Sequence, residues 1–334
     1  MSGAANDGRI RALRRSLRAN GDRWLLLLAA IALATTFVQP RWALMRPAHE
    51  MVVVVDITQS MNVTDYRLDT RPASRRAFVR AALRQAVSGL PCGSRVGWAI
   101  FTEYRSFLLF APVEVCAHQH DLLATLERID GTMAWSGNSE VAKGLDGALR
   151  FARDLPGRPA VVFISDGHEA PPVNPRHRPG FETRRGEVRG LIVGTGGLVP
   201  APIPKRDPEG RPLGFWKAGE VMQTDIYSQG RGGSVSEERM VETEVADPEA
   251  EKSIGTATGT EHLSSLREGY LKLLATETGL AYRRLETPES LLEMMTDPQL
   301  AGQRLGSFDL RLPLAALALL AVLVASLPGR GGRR

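Results

Sequence analysis

The sequence predicts an α/β fold: a doubly wound, mostly parallel sheet with one antiparallel edge strand, flanked by two transmembrane helices. Continuous apolar runs such as MVVVV at residues 51–55 and AVVFIS at 160–165 are typical of strands buried on both faces. Helical patterns alternate with these runs, which favours parallel strands with helices on both faces of the sheet. The third observation is an uncharged apolar segment near each end of the chain.

The predicted elements follow one another in a regular order. Strands are predicted at residues 51–55, 96–101, 107–113, 160–165, 191–193 and 281–285. Helices are predicted at residues 71–90, 121–129, 140–155, 263–278 and 288–295. Only the short polar stretch 102–106 separates the second and third strands, so we expect a hairpin that supplies the antiparallel edge.

Residues 198–262 interrupt this alternation because they are rich in Pro, Gly and charge and poor in apolar runs. We expect a small hairpin at residues 203–216 and an exposed, partly disordered insertion at 228–262. The whole chain is predicted to divide into a basic tail at 1–23, a transmembrane anchor at 24–44, a domain at 48–295, a linker at 296–311, a transmembrane helix at 312–328 and a basic tail at 329–334.

The net charge of +5 is concentrated at the two ends of the chain. Residues 1–23 and 328–334 contain nine arginines and two aspartates, a net charge of +7, which leaves residues 24–327 slightly acidic at −2. Nucleic-acid binding needs a basic face on the folded part of a protein. We therefore exclude that class of function.

Residues 24–38 and 312–327 contain no charged side chain and are predicted to lie in membrane-spanning helices. Both are shorter than the roughly 20 residues of a usual span, and the alternative for the first is a cleaved signal peptide. Six arginines precede the first segment and three follow the second. The positive-inside rule then places both termini in the cytoplasm and the domain on the other side.

Oxygen-bearing side chains follow two of the predicted buried strands. The run MVVVV leads into Asp56, Thr58 and Ser60, and AVVFIS leads into Asp166. Ser139 precedes the helix predicted at 140–155 and offers a third hydroxyl. Because ligands of open α/β sheets bind at the carboxyl ends of the strands, we expect these oxygens to hold Mg²⁺, or another divalent cation such as Ca²⁺ or Mn²⁺.

The D-x-T-x-S run at residues 56–60 resembles the D-x-S-x-S motif of von Willebrand factor A (VWA) domains, which have a Rossmann-like fold and a metal-ion-dependent adhesion site. The resemblance implies the metal ligands Asp56, Thr58, Ser60, Ser139 and Asp166. Ser139 takes the place of a threonine in the family, and Thr132 is its competitor for that role. Trp135, Asn138, Gly167 and His168 flank these ligands and are candidate partner contacts, and a core anchor is the alternative role of Trp135.

The segment at 201–217 resembles the Pro-Ile-Pro segment of bacterial Bat-type VWA membrane proteins. The segment at 262–285 looks most like the MxaL-type proteins of methanol-oxidation gene clusters. This resemblance implies a non-enzymatic binding module at the bacterial inner membrane, with a periplasmic VWA domain. The implied partner presents an Asp or Glu to the metal and takes part in assembling a periplasmic enzyme such as methanol dehydrogenase, together with a MoxR-type AAA ATPase system.

Two other functions remain open from the sequence. One is a Bat-type role in stress or aerotolerance. The other is a metal-dependent hydrolase, which needs a general base beside the metal, and His168 is the candidate that the sequence offers.

Cys92 and Cys116 are the two cysteines of the chain. If the hairpin turns near residues 104–105, they lie at nearly equal distances on either side of the turn and just beyond the strand ends. An oxidising compartment favours their pairing. We therefore predict a disulfide bond that closes the hairpin.

Overall fold

The computed structural model describes residues 21–38, 40–134, 138–207, 209–224, 242–243 and 259–326. Most of both basic tails, Trp135 and most of the insertion predicted at 228–262 lie outside these ranges. The chain forms two compact units. One is Pro47–Gly302, and the other joins Met1–Arg46 to Gln303–Arg334.

The secondary structure alternates between strands and helices along most of the chain. The strands are β1 (Arg41–Ala48), β2 (Glu50–Asp56), β3 (Tyr66–Leu68), β4 (Arg71–Ala73), β5 (Arg95–Thr102), β6 (Arg105–Glu114), β7 (Ala160–Ser165), β8 (Arg178–Pro179), β9 (Gly190–Gly194), β10 (Ala201–Pro202), β11 (Pro204–Arg206), β12 (Pro212–Phe215), β13 (Glu242–Thr243), β14 (Leu263–Ser264), β15 (Ala281–Arg284) and β16 (Gly302–Asp309). The helices are α1 (Gly21–Phe37), α2 (Arg75–Gly89), α3 (Gln119–Arg128), α4 (Val141–Asp154), α5 (Glu268–Thr278), α6 (Ser290–Met295) and α7 (Arg311–Ser326). Short 3-10 helices lie at Gln59–Asn62, Gly131–Met133, Ala218–Glu220 and Pro298–Leu300.

A six-stranded sheet of order β15-β9-β7-β2-β5-β6 forms the centre of the larger unit. Every neighbouring pair is parallel except β5 and β6, which form an antiparallel hairpin at one edge. The predicted α/β fold, its mostly parallel sheet and its antiparallel edge strand are confirmed. Cys92 and Cys116 are joined by a disulfide bond beyond the strand ends, with their Cα atoms 5.3 Å apart, as predicted.

Alternation along β2 explains why the sheet needs helices on both faces. Val53 and Val55 belong to one apolar cluster, with α2, α3 and α6. Val52 and Val54 point the other way and belong to a second cluster, with α4 and α5. All four valines are 3% exposed or less. A polar side chain at any of these positions would therefore be buried away from water, whichever face of the sheet it pointed to.

Two predicted helices begin four or more residues later than expected. The helix predicted at 71–90 starts at Arg75, because the Ser74 hydroxyl accepts a hydrogen bond from the Ala77 N–H and caps it. The three residues before Ser74 form β4 instead and pair with β3. The helix predicted at 263–278 starts at Glu268, because β14 pairs with β10 in the part that precedes it.

The smaller unit contains α1 and α7, which pack through a seam of alanines. Ala29, Ala32, Ala318 and Ala321 are buried between the two helices, while large apolar side chains such as Ile31 are exposed. The strands β1 and β16, which continue from these helices, pair with each other, and β16 runs through the segment assigned to the linker at 296–311. Within the described ranges, none of the helices combines the length and the apolar character that crossing a membrane requires.

Candidate metal centre

The candidate site lies at the carboxyl edge of the sheet, where β2 and β7 end side by side. The register Val55–Ile164 brings Asp56 next to Ser165, and the Ser165 hydroxyl donates to Asp56 Oδ2 over 2.7 Å. Asp56 is the last residue of β2 and Asp166 follows β7 directly. Both aspartates are completely buried. The parallel pairing of two distant segments therefore places two carboxylates at one edge.

The loop after β2 folds back on the Asp56 carboxylate. The Thr58 N–H donates to Asp56 Oδ1 over 2.8 Å, and the Thr58 hydroxyl donates to the same oxygen over 2.7 Å. The Thr58 and Ser60 hydroxyl oxygens are 3.2 Å apart, and the Ser60 hydroxyl hydrogen-bonds to Asp166. The D-x-T-x-S spacing thus arranges both hydroxyls as a layer over the two carboxylates.

Ser139 lies beside this layer because short backbone pairings hold its loop. The Ser139 N–H donates to the Ala170 carbonyl and the Ala170 N–H donates back to the Ser139 carbonyl, each over 2.7 Å. Ser139 is 2% exposed, and its hydroxyl has no hydrogen-bond partner in the described part of the chain. This buried hydroxyl is available to a ligand.

Thr132, the alternative to Ser139, is exposed in the 3-10 helix Gly131–Met133. Its hydroxyl donates to the Asp130 carboxylate, which also accepts from the Thr132 N–H. The geometry therefore favours Ser139 over Thr132 as the third hydroxyl of the site.

A buried arginine that the sequence did not single out neutralises one of the carboxylates. Arg75 is 0% exposed, and its guanidinium donates to Asp166 Oδ2 and to the Ser264 hydroxyl. The other side of the guanidinium donates to Asp65 Oδ2 from Nε and Nη2, over 2.9 and 2.7 Å. Arg75 therefore links the site to Ser264 in β14, at the end of the segment that interrupts the predicted alternation.

The two carboxylates consequently differ in their electrostatics. Burial and the neighbouring charge of Asp166 raise the pKa of Asp56 to about 7. Burial by itself would also raise the pKa of Asp166, but the Arg75 guanidinium holds that pKa below its usual value. Asp56 is therefore the carboxyl group of the pair that no cation in the described residues neutralises directly.

A cavity of about 220 Å³ opens over the hydroxyl layer. Thr58, Ser60 and Ser139 line it, together with Asn138 and His168, whereas Asp56, Asp166 and Gly167 lie outside the lining. Burial lowers the pKa of His168 to about 4, so its imidazole is neutral at neutral pH. The lining also includes Ile203, Trp216 and Met222 and two acidic residues, Glu220 and Glu261.

Glu169 fixes the loop that carries Ser139. Its Oε1 accepts hydrogen bonds from the Tyr270 hydroxyl over 2.6 Å and from the Ala142 N–H at the start of α4 over 3.2 Å. Burial is the main cause that raises the pKa of Glu169 to about 8. Glu169 thus caps α4 from a distant segment, and the next residue, Ala170, pairs with Ser139.

The donor set fits a hard divalent cation. It consists of carboxylate and hydroxyl oxygens, which such cations prefer, and it contains the unpartnered buried hydroxyl of Ser139. In the described residues, the close cluster of Cys, His, Asp or Glu side chains found elsewhere is Cys92, Glu114 and Cys116. Its two cysteines form the disulfide bond, so that cluster does not offer thiolates.

Comparison with known families agrees with this geometry. Residues 51–168 match the sequence model of the von Willebrand factor type A domain. This part of the chain is a VWA domain. The matched segment contains all five predicted ligand positions, from Asp56 to Asp166. A comparison with curated proteins gave no match.

Three solved structures resemble the chain in fold. An aerotolerance-related membrane protein from Bacteroides fragilis, with multiple mutations to serine, is 16% identical, with a TM-score of 0.44 over 75% of this chain and 98% of that chain. A membrane-spanning protein from Vibrio fischeri is 16% identical, with a TM-score of 0.28 over 74% and 95%. The PilB minor pilin from Streptococcus sanguinis is 13% identical, with a TM-score of 0.37 over 75% and 60%. At these scores the similarity carries no argument about function.

Sequence reasoning missed three parts of the site. Arg75 lies within the helix predicted at 71–90, and a lone arginine gives no signal that it will be buried against two aspartates. Ser264 is separated from Asp166 by the interrupting segment, so nothing local connects them. Ser165, the last residue of the run AVVFIS, could have been found, because it aligns with Asp56 across two parallel strands.

Proposed function

We propose that this chain is a protein-interaction module whose VWA domain binds a partner through a divalent cation held at the carboxyl edge of its sheet. The observation that supports this most directly is the cluster of three buried hydroxyls over two buried carboxylates, facing a cavity of about 220 Å³. A cavity of that size accommodates a side chain of a partner but is smaller than usual small-molecule pockets.

The ligands in this proposal are Asp56, Thr58, Ser60, Ser139 and Asp166, directly or through water. Mg²⁺ is the expected cation, and Ca²⁺ and Mn²⁺ are alternatives. When bound, the cation supplies a positive charge with an open coordination position, for which an Asp or Glu of the partner is the natural ligand. Because Arg75 already pairs with Asp166, Asp56 is expected to contribute most to cation affinity.

Asp56→Asn tests the metal site with little change of shape. The amide keeps a hydrogen-bond acceptor for Thr58 and removes the charge that burial disfavours. We expect the purified full-length protein to lose Mg²⁺ binding in calorimetry and to keep its metal-free melting temperature. The control is Asp121→Asn, whose side chain is 78% exposed at the start of α3.

The binding role is tested by retention of the partner. Mg²⁺-dependent co-purification from membranes should be released by EDTA and lost in Asp56→Asn but not in Asp121→Asn. Full retention by a folded Asp56→Asn protein would contradict the proposal.

We further propose that residues 24–38 and 312–327 anchor the chain in the bacterial inner membrane, with both termini cytoplasmic and the VWA domain periplasmic. The arginine bias at both ends supports this topology, as does the packing of α1 against α7 through alanines with large apolar side chains outward. Reporter fusions at Arg334 and within residues 228–262 should report opposite sides. A report from the same side at both positions would reject the topology.

The proposed biological role is the assembly of a periplasmic enzyme, with methanol dehydrogenase and a MoxR-type AAA ATPase system as the expected partners. It rests on the resemblance of residues 262–285 to MxaL-type proteins. A deletion strain should accumulate methanol dehydrogenase with a reduced content of its metal. If the enzyme is fully loaded and growth under oxygen is impaired instead, a Bat-type aerotolerance role is favoured.

A metal-dependent hydrolase is the second candidate, and His168 is the observation that favours it. The imidazole lines the cavity, and its Nδ1 has no hydrogen-bond partner in the described residues, so this nitrogen is open to a proton, but burial lowers its pKa to about 4 and makes it a weak base. Mg²⁺-dependent turnover of phosphoester or peptide substrates that is lost in His168→Gln would support this function over docking.

A further inference from the structure

The hairpin formed by β11 and β12 contacts the metal-binding loop, and Trp216, which follows β12, fastens it there. The indole N–H of Trp216 donates to Gln59 Oε1 over 2.7 Å, and Gln59 lies between Thr58 and Ser60. The Lys205 ammonium lies 4.4 Å from the centre of the Trp216 ring and forms an ion pair with Glu220 over 2.8 Å. The hairpin is therefore built into the wall of the proposed metal site.

The same hairpin presents large apolar side chains to solvent. Leu213 and Phe215, both in β12, are 58% and 57% exposed. Among the described residues of the unit Pro47–Gly302, the large apolar side chains more than half exposed are Leu198, Val199, Leu213 and Phe215. All four lie between residues 198 and 215, on the side of the sheet edge that carries the metal site.

Charge indicates what kind of protein surface fits. Residues 204–220, which include the Glu220 partner of Lys205, contain four basic side chains and three acidic ones, a net charge of +1 on a domain that is otherwise slightly acidic. An acidic partner surface would be attracted to this basic, apolar hairpin and would present carboxylates to the adjacent metal site.

We propose that Leu213 and Phe215 form a second contact for the partner that binds the metal site, and that this partner presents an acidic residue close to an apolar one. The inference rests on the proposed docking function and adds the surface that selects the partner. The metal site alone would accept any accessible carboxylate, whereas the hairpin requires an apolar neighbour beside it.

The experiment places the photo-crosslinking residue p-benzoylphenylalanine in the full-length chain in its native membrane. The positions are Phe215 on the hairpin, Val221 in the cavity lining, and Leu109 as a control on β6, which is 36% exposed. Crosslinked peptides are sequenced by mass spectrometry, with and without Asp56→Asn.

The expected result is that the probes at 215 and 221 capture the same protein through one segment with an Asp or Glu near an apolar residue. The probe at 109 captures none of it, and Asp56→Asn abolishes both crosslinks. In addition, Leu213→Ser with Phe215→Ser lowers Mg²⁺-dependent retention of that protein at least tenfold, with unchanged Mg²⁺ binding and melting temperature, while Leu109→Ser changes nothing.

Two kinds of failure are distinguishable. If 221 captures a metal-dependent partner but 215 captures lipid, another copy of the chain or nothing, the hairpin inference is overturned and the proposed function stands. If the crosslinks at both positions persist in Asp56→Asn, the metal-dependent function is overturned. The absence of any crosslink at either position overturns both.

Discussion

Replacement of Ser139 by alanine should change the stability of the metal-free protein and its cation affinity in opposite directions. The Ser139 hydroxyl is buried and has no hydrogen-bond partner in the described residues. A buried hydroxyl without a partner costs about 1–3 kcal/mol. Alanine keeps the Cβ and the backbone pairing with Ala170, so the metal-free variant should be equally stable or up to ~1 kcal/mol more stable.

The effect reverses when the cation is present. If the loss of one oxygen ligand weakens Mg²⁺ binding about tenfold, the variant loses ~1.4 kcal/mol of metal-dependent stabilisation at saturating metal. Urea unfolding in EDTA and in saturating Mg²⁺ measures both values on the same protein. The difference between the two conditions should shrink in Ser139→Ala by this amount.

Thr132→Ala is the matched control, because Thr132 is exposed and its hydroxyl bonds to Asp130. It should shift both unfolding curves equally, by less than about 1 kcal/mol. The reasoning is refuted if Thr132→Ala reduces the Mg²⁺-dependent difference and Ser139→Ala does not. It also fails if Ser139→Ala clearly destabilises the metal-free protein, since the hydroxyl would then have a stabilising partner.

Three further predictions concern the groups that hold the site and the domain together. Arg75→Met leaves the carboxylates of Asp65 and Asp166 without their buried cation. We expect the free energy of unfolding in urea to fall by about 3–5 kcal/mol. A decrease below ~1 kcal/mol would mean that the ion pairs are not formed. The folded-state pKa of Glu169 is raised from 4.5 to about 8, so its contribution to stability is full below about pH 4.5 and is lost as the pH rises towards 8. Glu169→Gln should therefore flatten the pH dependence of the melting temperature between these two values. An unchanged profile would show that burial does not hold the proton on Glu169. Replacement of Cys92 and Cys116 by serine removes a crosslink between residues 24 positions apart and should lower the free energy of unfolding by about 3 kcal/mol. Urea unfolding of the variant and of the wild type, with and without reductant, measures this loss. Equal stability of the variant and the wild type without reductant would contradict the prediction.

Most of the fold could be predicted from local patterns. The runs MVVVV and AVVFIS indicate strands buried on both faces, and the structure confirms them as β2 and β7. Such runs are reliable because only a parallel sheet covered on both faces excludes water from every side chain. The helix starts were less predictable. The cap at Ser74 and the pairing of β4 with β3 depend on contacts that periodicity does not encode.

The carboxylates and hydroxyls of the candidate site could be named from the sequence because their positions follow from where strands end. Asp56 and Asp166 each come at the end of an apolar run, and parallel strands bring such ends to one edge. The disulfide bond followed from the same kind of argument, since the symmetry of a hairpin about its turn is a property of the local chain.

The tertiary structure decided the electrostatics and the surroundings of that site. Arg75 pairs with Asp166 across 91 positions of sequence, and Trp216 bonds to Gln59 across 157. The choice of Ser139 over Thr132 also rests on burial, which depends on how the loop packs against Ala170. The sequence by itself determined which oxygens end the strands. Contacts between distant segments decide which of these oxygens are neutralised, which have no partner and which surface lies beside them. The physical reason is that electrostatic interaction and burial depend on distance in space rather than along the chain.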